Sequence, residues 1–309
     1  MRQTALNQVY ELARSDPRIV FVGSDLGRGT LDKFKHEMPD RFFMEGVSEA
    51  HVVGMAAGLA MEGRIVYVNT IATFLTRRCF EQVVLDVCLH NLKVRLIGSG
   101  GGLVYAPLGP THLATDDIAI LRAIPNMAIV APCDANEMKR LMPLTVDHPG
   151  PMYIRLGKGG DPIVSLDEPR FAIGKAMLLR EGGDALVITT GIALKTALEA
   201  ADALKRENIA TSVLHAPTIK PLDVEAVRHA ARRAAVVVSV EEHSIIGGLG
   251  SAISEMLAED RILRGKPFKR IGIPDSFVDK YGSQDGLMRH YGITTEGVAS
   301  VVRALRAEA

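Results

Sequence analysis

Short β-branched runs alternate with helical segments along almost all of this 309-residue chain, and that alternation limits the folds open to it. Strands are expected at RIVFVG (18–23), RIVYVN (64–69), VRLIGSG (94–100), MAIVAP (127–132) and MYIRL (152–156). Helical patterns lie between them at 48–62, 75–90, 115–123 and 135–146. Apolar strands separated by helices are buried on both faces, which implies a parallel, doubly wound sheet. A polar stretch, KGGDPIVSLDEPRF (158–171), has glycines, prolines and little periodicity, and reads as a linker. The alternation then restarts with strands at 185–191, 211–217, 235–243 and 270–274 and helices at 192–206, 223–234, 248–258 and 294–307. The expected fold is α/β with two doubly wound, mostly parallel domains, residues 1–165 and 172–309. No internal repeat or low-complexity segment stands out.

Charge and cysteine usage exclude several classes of function. Lys+Arg and Asp+Glu are both 36, so nothing electrostatic favours nucleic acid or an anionic membrane. The first residues, MRQTALNQVYELARSD, read as an amphipathic helix without the apolar core of a signal peptide. No run is long enough to span a bilayer. The three cysteines, Cys79, Cys88 and Cys133, lack metal-ligand spacing and are odd in number, as expected of reduced thiols in the cytoplasm. Cys79 is not expected to be catalytic, and no metal ligand set is expected in this chain.

Neither half carries a convincing phosphate loop. GSDLGRGT (23–30) follows a strand but matches neither common fingerprint. IIGGLGS (245–251) opens a helix and reads either as an anion site at the helix N-terminus or as a tight strand-to-helix turn. The informative segment is FFMEGVSEAHVVGMAAGLAMEG (42–63). A strand is expected to end in Gly46–Val47, and a helix rich in small residues follows. Glu49 falls in the first turn of that helix, at the carboxyl end of a strand, where open α/β sheets bind ligands. By position alone it reads rather as a carboxylate complementing the helix dipole. Glu45, expected within the strand, is the competing carboxylate.

GVSEAHVVGMAAGLAMEG resembles the segment of the transketolase family that carries the catalytic glutamate. ATFLTRRCFEQVVLDV (72–87) is similar to the family's next motif, and LGPTHLATDDIAILRAIPNMAIVAPCDANE (108–137) to its GPTH segment. The three occur in the family's order along nearly the whole chain, at spacings like those of transketolase and 1-deoxyxylulose-5-phosphate synthase. The resemblance implies a pyrimidine-binding domain, a transketolase C-terminal domain and thiamine diphosphate as cofactor. It makes Glu49 the carboxyl group that shares a proton with the aminopyrimidine ring nitrogen, favouring the tautomer whose exocyclic nitrogen takes the thiazolium C2 proton. Phe74 and Phe80 match rings that pack on the pyrimidine. His112 matches a histidine that meets substrate oxygens and can donate a hydrogen bond or shuttle a proton. Arg77 and Lys158 match substrate-contacting cations, with Arg2 and Ser24 as weaker candidates near the same anion. Two positions depart from the pattern. Leu108 stands where relatives have an acidic residue facing a sugar hydroxyl, and Ile71 where the synthase branch has a tyrosine.

Full-length relatives also carry GDG followed by an asparagine about thirty residues on, which hold Mg²⁺ on the diphosphate. This chain has only GGDP and GGDA. The resemblance therefore implies a separate diphosphate-binding subunit that holds the Mg²⁺, in an α2β2 heterotetramer transferring a ketol unit between sugar-like substrates. The rival readings are the β subunit of a 2-oxoacid dehydrogenase first component, whose segment reads AQHS in place of GPTH, a condensing enzyme of the deoxyxylulose-phosphate synthase kind, and a non-catalytic paralogue.

Overall fold

β-branched and aromatic residues fit a pleated surface covered on both sides, and the apolar runs become strands for that reason. A computed structural model describes residues 1–24, 29–157, 159–165 and 171–308. Its strands are β1 (Ile19–Gly23), β2 (Phe42–Met44), β3 (Ile65–Ile71), β4 (Val94–Ser99), β5 (Ala128–Val130), β6 (Met152–Arg155), β7 (Met177–Arg180), β8 (Ala185–Thr189), β9 (Thr211–His215), β10 (Thr218–Lys220), β11 (Val236–Ser244) and β12 (Phe268–Ile273). They form a seven-stranded sheet in the order β10-β5-β6-β4-β3-β1-β2 and a five-stranded sheet in the order β12-β11-β8-β9-β7. Every pairing is parallel except those of the edge strands β10 and β7. Both sheets are α/β and mostly parallel, as the alternation implies.

Three local differences from the sequence reading have physical causes. β2 ends at Met44 rather than at Gly46–Val47, because Gly46 turns the chain at φ 67°. Glu45 thus lies just beyond the strand, its amide donating to Gly23 O at 2.9 Å. The segment expected as one helix at 75–90 is π-helical at Phe74–Arg78 and Val83–Leu89, with a single α turn, Phe80–Gln82, between them. Such wide turns concentrate at functional sites. Third, β10 lies between two prolines in the second half of the chain, yet pairs antiparallel with β5, Thr218 opposite Val130. A short strand from beyond the linker therefore completes the first sheet.

The two sheets share a core. One apolar cluster runs from Val22, Val68 and Leu96 through Ile129 to Leu186, Ile188 and Leu214. All three cysteines are free and buried. The IIGGLGS turn is filled by its own chain: the buried Glu241 carboxylate accepts the amides of Leu249 and Gly250 at 2.8 Å each. That carboxylate takes the place an external anion would need at the helix N-terminus. No helix among the described residues is long and apolar enough to cross a membrane.

Candidate active site

Glu49 is the first residue of the helix Glu49–Met61, which starts beyond the end of β2 on the carboxyl side of the sheet. Ser48 precedes it and makes no side-chain cap bond. Glu49 is only 2% exposed. Its carboxylate does not fold back onto the helix amides but meets Arg78, with Oε2 accepting from Nη1 at 2.5 Å. The Arg78 guanidinium lies over the Phe74 ring, 4.3 Å from its centre. Phe74 in turn meets the His112 ring edge-on, with centres 5.1 Å apart. Four groups from three segments thus form one continuous line: carboxylate, guanidinium, aromatic face and imidazole.

Other sequence-derived candidates lie elsewhere. Arg77, the residue before Arg78, has a different partner and grips Asp116 through Nε and Nη2 at 2.7–2.9 Å. It lines a cavity of about 290 Å³ with Leu113, Ser244 and Phe277. Phe80 is 38% exposed, with no aromatic ring packed on it among the described residues. Lys158 lies outside the described residues. Its neighbours Gly157 and Gly159, together with Arg2, Ser99, Tyr105 and Leu108, line a cavity of about 660 Å³ beside the loop that carries His112. The Ser24 hydroxyl is buried and bonded to Thr70 Oγ1 at 2.5 Å. Burial pushes the Cys79 thiol up to about 12, and the nearby Glu49 charge adds to this, so the thiol stays protonated.

The loop carrying His112 is held by a buried polar network that the sequence reading missed. Arg155, at the end of β6, donates to Asp117 through Nε at 2.7 Å and to the carbonyls of Ala114 and Glu242 at 3.0 Å. Tyr153 donates to the same Asp117 carboxylate at 2.7 Å. Burial alone would raise Asp117, but the Arg155 charge and these bonds hold it below the ordinary carboxylate range. Glu242, from β11 in the second sheet, accepts the Leu103 amide and Gln284 Nε2 at 2.8 Å each. Burial pushes its carboxyl up to about 7 against the pull of Arg155. Gly102 sits here at φ 67°, and a Cβ on it would lie 2.5 Å from Glu242 Cδ. Only glycine allows that approach without displacement. An arginine ending an otherwise apolar strand was the one sequence signal for this network.

Comparison with known proteins settles the family. The profile "Transketolase, pyrimidine binding domain" matches residues 1–160, and "Transketolase, C-terminal domain" matches residues 174–298. The chain belongs to the transketolase family. It is 40% identical over 299 residues to a subunit of the apulose-4-phosphate transketolase of Phocaeicola vulgatus, covering 96% of this chain and 94% of the relative. It is 37% identical over 305 residues to the 6-deoxy-6-sulfo-D-fructose transketolase subunit SqwH of a Clostridium species, covering 98% and 92%. A solved structure described as a split gene transketolase, inactive beta4 tetramer, superposes with a TM-score of 0.90 at 34% identity, covering 99% of this chain and 98% of the other.

This transketolase chain is a subunit of a thiamine diphosphate-dependent transferase, and its residues fit the pyrimidine half of that cofactor. A flat heterocycle with a ring nitrogen and an amino group needs a carboxyl partner at its edge and an aromatic face beneath it. Glu49 and Phe74 offer those two surfaces, and a flat cationic group, the Arg78 guanidinium, already lies against both.

Proposed function

We propose that this chain is the pyrimidine-binding half of a split transketolase that moves a ketol unit between sugar-like substrates. The observation that carries the reading is end-to-end similarity to chains that are themselves single subunits of transketolases. Those relatives' names give substrates bearing a phosphate and a sulfonate. We take the substrate here to be a ketose with an anionic group, met by Lys158 and Arg2. The deoxyxylulose-phosphate synthase reading is weaker, because the chain covers 94% and 92% of two relatives named as transketolase subunits but 46% of the synthases.

When bound, thiamine diphosphate supplies the electron sink for breaking and remaking a carbon–carbon bond. The roles assigned to this chain's own residues follow from their chemistry. Glu49 holds the proton shared with the pyrimidine nitrogen, and its burial keeps water from competing for that bond. Phe74 and Phe80 orient the ring. His112 donates a hydrogen bond, or passes a proton, to the substrate oxygens. Arg77, held against Asp116, contributes to substrate binding from the groove between the two sheets. Leu108 and Ile71 leave the wall less polar than in relatives that handle standard sugar phosphates.

A partner subunit with the GDG motif holds the Mg²⁺ and the diphosphate, and the assembly is α2β2. The solved relative is described as an inactive tetramer of β chains alone, which supports a division of the active site between two kinds of subunit. Phe80, Leu85 and Leu89, all on the segment that follows Arg78, are exposed apolar side chains suited to burial against another chain. We place the protein in the cytoplasm, where three unpaired buried thiols suit the reducing conditions.

The test is reconstitution. The chain is mixed with a GDG-containing subunit, thiamine diphosphate and Mg²⁺, and followed by light scattering and by two assays. Ketol transfer between sugar phosphates or sulfonated sugars is expected, with a heterotetrameric mass. Acylation of lipoamide without ketol transfer would replace this function with that of a 2-oxoacid dehydrogenase component. A monomer under every condition would refute the split-enzyme assembly.

A further inference from the structure

We infer that Arg78 is a latch on the cofactor site: its guanidinium takes the aminopyrimidine's place on Glu49 and Phe74 and must swing out before thiamine diphosphate can enter. The inference rests on the cofactor reading above and goes beyond it, because it concerns the free chain and the order of events on loading.

The geometry carries the argument. Arg78 touches the two surfaces that the pyrimidine needs, the Glu49 carboxylate at 2.5 Å and the Phe74 face at 4.3 Å. A guanidinium is planar and offers N–H donors along its edge, so it satisfies a carboxylate and stacks on a ring at once. A protonated aminopyrimidine has the same two properties. Arg78 bridges this carboxylate and this ring, and a second flat group taking both surfaces would displace it.

The burial of the pair is lopsided in the way a latch requires. Glu49 is 2% exposed, whereas the Arg78 side chain is 48% exposed. Here the cation reaches in from solvent, so it can withdraw into water, and the carboxylate it leaves is then free for a new partner. The π-helical turn Phe74–Arg78 carries both the ring and the arm that covers it. The other nearby cation, Arg77, is committed to Asp116 and does not compete for Glu49. In the chain without cofactor, Arg78 spares Glu49 from being buried without a counter-charge.

The latch is testable by binding rather than turnover. Thiamine diphosphate is titrated by calorimetry into the Mg²⁺-containing complex of this chain with its diphosphate-binding subunit, comparing wild type, Arg78→Met and Arg78→Lys. Removing a half-exposed ion pair and a cation–π contact should tighten cofactor binding about three- to thirtyfold in Arg78→Met. Arg78→Lys, which keeps the charge but loses the planar stack, should fall between. Methylguanidinium added to the Arg78→Met complex should weaken cofactor binding competitively, at a concentration where tetramethylammonium does not. Equal or weaker binding in Arg78→Met, or no competition by methylguanidinium, overturns the latch and leaves the family reading intact. Failure of the wild-type complex itself to bind thiamine diphosphate overturns the cofactor reading and the latch together.

Discussion

Replacing Glu49 with glutamine separates a catalytic carboxyl group from a structural one, and the structure sets the size of each effect. Glutamine keeps the volume and an acceptor but cannot hold a shared carboxylic proton. Glu49 lies in the first turn of its helix and pairs with a half-exposed arginine. The lost ion pair is worth about 0.5–1 kcal/mol and the lost dipole interaction about 0.3–1 kcal/mol. Together they lower the melting temperature by roughly 2–8 °C in domains of this size. Loss of positioned acid–base function slows the chemical step by about 10²- to 10⁴-fold. The rate effect therefore exceeds anything the fold loses. The assay is hydrogen–deuterium exchange at the thiazolium C2 in the reconstituted complex, run beside ketol transfer and thermal melting. A wild-type exchange rate in Glu49→Gln, with only a lowered melting temperature, would refute the catalytic assignment.

Two further predictions concern the network behind the His112 loop. Glu242 titrates near 7 in the fold against an ordinary 4.5, so the folded state binds more protons than the unfolded state between those values. Stability therefore falls as pH rises through that window, and Glu242→Gln should flatten the slope seen in melts between about pH 5 and about pH 8. An unchanged slope would show that Glu242 does not set it. Arg155→Met leaves Asp117 buried without its cation and should cost about 3–5 kcal/mol, with Asp117→Asn restoring part of the loss. A loss below about 1 kcal/mol by chemical denaturation would show that the network is dispensable.

The sequence by itself determined the architecture and singled out a candidate site. Strand and helix periods are local, so the apolar runs at 18–23, 64–69 and 94–100 announce parallel strands without any knowledge of their neighbours. Glu49 was legible for the same reason: strand, turn and small-residue helix are contiguous, and the motif around them is specific. Only the tertiary structure decided which groups share the site. Arg78 lies 29 residues from Glu49, and Leu103 lies 139 from Glu242, separations that no periodicity encodes. Arg77 and Arg78 are indistinguishable as letters. The π-helical turn sends one to Asp116 and the other over Phe74. β10 joins the first sheet for a similar reason: three residues between prolines carry too little pattern to be read as a strand, and only the open edge of β5 gives them a partner.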